Sequence, residues 1–164
     1  MSVEIVRKFL VEKSIWHPAA SLGVRYRQGY LSTDPARVVR IRTAGPKAVI
    51  TVKGRTARAT RDEYEYEIPL IDAEEMLDRL CYRPLIEKVR YREQIADRLW
   101  EVDVFEGENA GLIVAEVELP DAFAGLTLPS WVGQEVTDDP RYFNSNLVRH
   151  PYTQWSGNGC AGGD

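Results

Sequence analysis

The chain has 164 residues, 44% of them hydrophobic and 28% charged, which suits one globular domain. Its 21 basic and 25 acidic side chains give a net charge of −4. No global field therefore draws it to nucleic acid or a membrane surface, and any anion binding must come from local clustering. No apolar run of transmembrane length and no signal peptide is visible, and the cysteines, Cys81 and Cys160, stand in unrelated contexts, so a reducing cytoplasm is expected.

In chain order, strands are expected over Val3–Val11, Val24–Ser32, Val38–Thr43, Ala48–Lys53 and Asp62–Leu70. Gly45-Pro46 marks a turn between the third and fourth, and Gly54–Thr60 reads as a mobile basic loop. A helix follows, with Asp72 and Glu75 as a capping box and Met76, Leu77, Leu80 and Cys81 on one stripe, until Pro84 blocks it. Three more strands are expected over Leu85–Gln94, Arg98–Phe105 and Leu112–Leu119. Pro120 is expected to open a short helix through Leu126, and Asp139-Pro140 to cap a last one through Val148. The domain is expected to occupy residues 1–150, with a disordered Gly-rich tail over 151–164. Eight strands with few helices predict a mainly β (α+β) fold, an antiparallel sheet closed into a barrel, whose interior side chains fill or which holds one small ligand.

Charges recur at every second position in these strands. Arg40-Ile41-Arg42, Glu63-Tyr64-Glu65, Lys88-Val89-Arg90 and Glu116-Val117-Glu118 each place two like charges on one face and an apolar residue on the other. Such pairs ordinarily mark the wet face of a sheet. The alternative is a charged interior. Lys8, Arg40, Arg42, Lys53, Lys88 and Arg90 would then hold a polyanion, because several buried unpaired cations are too costly otherwise. Glu4, Glu63, Glu65, Asp103, Glu116 and Glu118 would offer hard oxygen ligands to Mg²⁺, Mn²⁺ or Ca²⁺. Cations, carboxylates and a phosphate between them make a metal-dependent phosphoryl-transfer site. Neither a P-loop nor a Rossmann glycine motif is present.

The opening run Glu4-Ile5-Val6-Arg7-Lys8-Phe9-Leu10-Val11 resembles the Glu-x-Glu-x-Lys signature of the CYTH, or triphosphate tunnel metalloenzyme, superfamily. Further segments resemble its motifs in family order over roughly Val3–Val148. They include Arg27-Gln28-Gly29-Tyr30-Leu31, Thr51-Val52-Lys53, Glu101-Val102-Asp103-Val104-Phe105, Ala115-Glu116-Val117-Glu118 and Thr137-Asp138-Asp139-Pro140-Arg141-Tyr142-Phe143-Asn144. The likeness is to the short prokaryotic members. It implies an eight-stranded antiparallel β-tunnel whose basic residues bind a triphosphate and whose carboxylates bind divalent metal, Glu116 and Glu118 foremost. It also implies a Lys8–Tyr30 pair that activates the attacking water. The expected activity is hydrolysis of inorganic tripolyphosphate or an organic triphosphate. Adenylate cyclisation, thiamine triphosphate hydrolysis and non-catalytic polyphosphate binding are the alternatives. The expected partner is the small-molecule substrate, without nucleic acid or membrane, and a homodimer is compatible. One departure stands out: the second signature Glu is Val6, so one inward carboxylate is missing.

Overall fold

The structure, a computed structural model, describes residues 2–18, 23–57, 60–121 and 124–155, without the side chains of residues 2–4. Its strands are β1 (Ser2–Val11), β2 (Val24–Ser32), β3 (Val38–Ala44), β4 (Lys47–Lys53), β5 (Thr60–Glu67), β6 (Ile86–Ile95), β7 (Arg98–Phe105), β8 (Ile113–Glu118) and β9 (Val132–Glu135). Helix α1 spans Leu70–Arg79 and α2 spans Asn144–Arg149.

The strands run in the order β5-β4-β3-β2-β6-β7-β8-β1, every neighbouring pair is antiparallel, and β1 returns to β5. The eight strands thus close into the expected barrel. The closing pair runs only from Ser2↔Glu63 to Ile5↔Thr60. Beyond it the same edge of β1 is taken over by β9, through Phe9↔Glu135 and Val11↔Val132. Strand β9 was not expected from the sequence, since Val-Gly-Gln-Glu is too short to show an alternating pattern. The β3–β4 hairpin turns on Gly45, whose φ of +60° suits a residue without Cβ.

The barrel is apolar outside and charged inside. Phe9, Trp16, Trp100, Val102, Ala115, Val117 and Trp131 cluster on the outer face of β1, β7 and β8. Ala73 and Leu77 of α1 pack with Ile41, Ala48 and Cys81 against β3 and β4. Helix α2 lies elsewhere. Its Leu147 and Val148 join Tyr30, Val38, Ile86, Phe105 and Val114, which sit at the ends of five different strands, with Leu10 of β1 packed against them. One end of the barrel is therefore sealed by an apolar plug, and the burial of that plug holds the last helix in place.

Some element boundaries differ from expectation. Helix α1 starts three residues early, capped by Pro69 with no side-chain hydrogen bond, so the Asp72/Glu75 capping box is not used. The final helix is split: Asp139 accepts from the backbone N–H of Arg141 and caps a 3₁₀ turn over Pro140–Tyr142, and Phe143 turns extended before α2 begins. Of the stretch expected to be helical after Pro120, the described residues 120–121 and 124–126 form no helix. Of the tail expected over 151–164, Tyr152–Gln154 instead form a 3₁₀ turn, and Tyr152 and Trp155 pack against the plug. Residues 58–59 and those from Ser156 on, Cys160 included, lie outside the described residues. No helix among the described residues is long and apolar enough to cross a membrane.

Candidate active site

Strand parity turns the alternating charges inward. Lys8, Arg40, Arg42, Lys53, Lys88 and Arg90 line a cavity of about 380 Å³ inside the barrel, together with Tyr30, Glu63, Glu65, Glu116 and Glu118. Lys8 stands two residues before Leu10, Arg40 two after Val38, Lys88 two after Ile86, and Lys53 opposite Val38. These four surround the plugged end. Arg42 and Arg90 lie further along the same strands, and Arg92, Lys47 and Glu101 line the cavity toward the other end. The side chain of Glu4 falls outside the described residues.

The carboxylates hold the cations in ranks. Asp103 is 1% exposed and accepts from Lys88 Nζ at 2.6 Å and from Arg90 Nε and an Arg90 terminal nitrogen at 2.7 and 2.8 Å. Both of its oxygens are occupied, and it does not line the cavity. This departs from its expected place among the metal-facing carboxylates: it anchors two cations from behind. Lys88 and Arg90 hold its carboxyl far below the usual range despite its burial. Glu116 lies 3.5 Å from Lys8 Nζ and 3.9 Å from Arg90, and Lys8 and Arg90 hold it well below its ordinary value against the effect of burial. Glu63 lies 3.6 Å from Lys53, and Glu65 3.7 Å from Arg40 while it accepts from the Thr51 hydroxyl at 2.8 Å.

Even so, positive charge is left under-compensated. Arg40 is 7% exposed, and its Nε is buried with no hydrogen-bond partner. Burial, with Arg40 and Arg90 nearby, pushes the Arg42 guanidinium down to about 9. Burial likewise outweighs Asp103 at Lys88, where the ammonium is pushed down to about 7 and Arg90 and Arg42 add repulsion. Each depression reflects the cost that burial and neighbouring cations place on the charged form.

A buried polar network orients these cations. Gln28 is 0% exposed; its Nε2 donates to Tyr30 Oη at 3.1 Å and to Asn144 Oδ1 at 2.9 Å, and its Oε1 accepts from Arg42 Nε at 2.8 Å. Asn144 Oδ1 also accepts from Lys88 Nζ at 3.0 Å. The first residue of α2 thereby ties the plug to the cavity. Lys8 donates to the Tyr142 carbonyl at 3.2 Å. Among the described residues no hydrogen bond joins Lys8 to Tyr30, and burial raises the Tyr30 phenol above its ordinary value. Lys8 and Tyr30 both line the cavity.

Gln28, Glu101, Arg61 and Arg92 were not singled out from the sequence, although each shares strand parity with a residue that was: Tyr30, Asp103, Glu63 and Arg90 respectively. Asn144 carried no such signal, because only the folding of α2 brings it to the cavity.

Hard divalent cations take oxygen ligands, and Glu63, Glu65, Glu116 and Glu118 present that type to the cavity. Among the described residues no three carboxylates already converge as a cage. The donors therefore fit an ion held by one or two carboxylates and completed by substrate oxygens and water, the mode usual for Mg²⁺.

Residues 2–152 match the CYTH domain. An inorganic triphosphatase of Acetivibrio thermocellus is 51% identical over 93% of this chain and 97% of its own length. An inorganic triphosphatase of Nitrosomonas europaea is 38% identical over 88% of this chain and 96% of its own. A crystal structure of an inorganic triphosphatase superposes with a TM-score of 0.62 at 37% identity, covering 88% of this chain and 97% of that one. A structure from Pyrococcus horikoshii, 19% identical with a TM-score of 0.52 over 73% of this chain and 80% of that one, shares the fold alone. With its closed charged barrel and a family match over nearly its whole length, the chain belongs to the CYTH domain family.

Proposed function

We propose that this protein is a metal-dependent triphosphatase that hydrolyses inorganic tripolyphosphate to pyrophosphate and orthophosphate, with Mg²⁺ or Mn²⁺ as cofactor. The observation that carries the reading is the buried, under-compensated positive charge of Arg40, Arg42 and Lys88 around one cavity. A linear polyanion relieves it, and the relatives at 51% and 38% identity are inorganic triphosphatases.

The terminal phosphoryl group is assigned to the plugged end, among Lys8, Arg40, Lys53 and Lys88, and the rest of the chain to Arg42 and Arg90. Arg forks match phosphate oxygens in pairs, and Lys adds point charge. Water attacks the terminal phosphorus in line, the bond to the bridging oxygen breaks, and its electrons leave with pyrophosphate. The loose transition state spreads charge over the non-bridging oxygens, so preorganised cations supply most of the catalysis and little is asked of a base. Asp103, Gln28 and Asn144 are positioning residues that hold Lys88, Arg90 and Arg42 in place before substrate arrives. Tyr30, a buried and protonated phenol, is assigned to that network. Lys8, beside Glu116, is assigned to orient the water and terminal phosphate. Glu116, with Glu118 or Glu63, would hold the metal ion, which supplies Lewis-acid neutralisation of phosphate oxygens when bound.

The test is orthophosphate release from tripolyphosphate, measured with Mg²⁺, Mn²⁺, Ca²⁺ and no metal. Metal-dependent release is expected. Pyrophosphate release from ATP with a cyclic product would instead mark a cyclase. Thermal stabilisation by tripolyphosphate with no metal-dependent release from any triphosphate would sink the enzymatic reading and leave a binding module.

A further inference from the structure

The barrel wall has a seam. The edge of β1 is covered by β5 up to Ile5 and by β9 from Phe9, so the ladder is interrupted over Val6–Lys8. There the backbone is held by Val136, whose N–H donates to the Lys8 carbonyl at 2.8 Å, and by Thr137, whose hydroxyl accepts from the Lys8 N–H at 3.0 Å. A second cavity of about 70 Å³ lies at this seam, well above the ~10–15 Å³ that one water needs. Lys8, Lys53 and Arg61 line both it and the main cavity. Thr56 and Thr137, partly exposed residues beyond the ends of β4 and β9, complete its outer side.

Resting on the triphosphatase reading, we propose that this seam cavity is an orthophosphate subsite and the route by which the cleaved terminal phosphate leaves. The plug of α2 seals the barrel end where that phosphate is released. Pyrophosphate then lies between it and the open end, so a phosphate leaving that way has to pass a like-charged product. A side exit removes the obstruction. Its chemistry suits a small tetrahedral oxyanion. Lys8, Lys53 and Arg61 face it, with Glu116 shared between Lys8 and Arg90 and with Glu63 3.6 Å from Lys53 on the main-cavity side. The Thr56 hydroxyl adds a neutral hydrogen bond, whereas the Thr137 hydroxyl already donates to Glu135 at 2.5 Å. It is too small for a second triphosphate.

The test is calorimetric titration of orthophosphate into the full chain saturated with Mg²⁺ and methylenediphosphonate, a non-hydrolysable mimic of pyrophosphate. Wild type is expected to bind one orthophosphate. Thr56→Val is expected to weaken it roughly tenfold and leave methylenediphosphonate affinity unchanged, and Arg61→Gln to weaken orthophosphate more than the diphosphonate. No orthophosphate binding in wild type, equal binding in both variants, or equal weakening of the two ligands overturns the assignment. Arg61 also donates to the Gly54 carbonyl at 3.0 Å, so Thr56→Val keeps the test decisive if Arg61→Gln melts early. The titration needs no turnover, so its failure is distinct from failure of the tripolyphosphate assay.

Discussion

Asp103 shows how one buried carboxylate governs a site it does not face. Removing one partner of a buried ion pair strands the others. Asp103→Asn is therefore expected to cost about 3 to 5 kcal/mol in urea unfolding, with Lys88 and Arg90 left short of counter-charge. Lys88 sets the pH response. Its ordinary value is 10.5 and its folded value about 7, so between them the unfolded chain holds a proton the folded chain lacks. Its contribution to stability rises with pH across that window, and binding of a polyanion, which favours the ammonium, takes up a proton there. Tripolyphosphate affinity is expected to fall as pH rises above about 7, and Lys88→Arg to flatten that limb, both by calorimetry. Asp103 and Glu116, also held below their ordinary values, act in the same direction in a more acidic window: the stability they add is present above the usual carboxylate range and lost as pH falls from there through their folded values. Val6 lines the cavity opposite Glu118 in register. Val6→Glu is expected to tighten Mn²⁺ binding by calorimetry and, without metal, to lower the melting temperature by like-charge repulsion with Glu118.

Among the elements, α2 seals the barrel with Leu147 and Val148 and orients the cations with Asn144. Leu147 is 0% exposed, and Leu147→Ala is expected to cost about 2 to 5 kcal/mol in denaturant unfolding. Strand parity made most of this architecture legible in advance. Arg40 and Arg42, or Glu116 and Glu118, had to share a face whatever the fold. Asn144 and β9 were not legible, because a six-residue helix and a four-residue strand carry little periodic signal and are placed by contacts distant in sequence.

For the molecule as a whole, a chain of net charge −4 keeps its cations inside a barrel with an apolar outer wall. The folded state thus carries a standing electrostatic cost that a bound polyanion offsets. Tripolyphosphate at a hundred times its dissociation constant is expected to stabilise the fold by about 2.7 kcal/mol, read as a rise in melting temperature.

The sequence by itself determined the eight barrel strands and their like-charged faces, because side-chain alternation is a local property of extended backbone, and its ordered motifs pointed to the family. Which face turned inward was a property of closure, decided when β1 met β5 and the outward apolar faces found α1 and the loops. Only the tertiary structure separated Asp103, an inward-facing anchor buried beneath Lys88 and Arg90, from the carboxylates that reach the cavity. Only there does the exchange of β5 for β9 leave a seam. Each of these depends on side chains that approach from distant strands, and burial among them sets their charge.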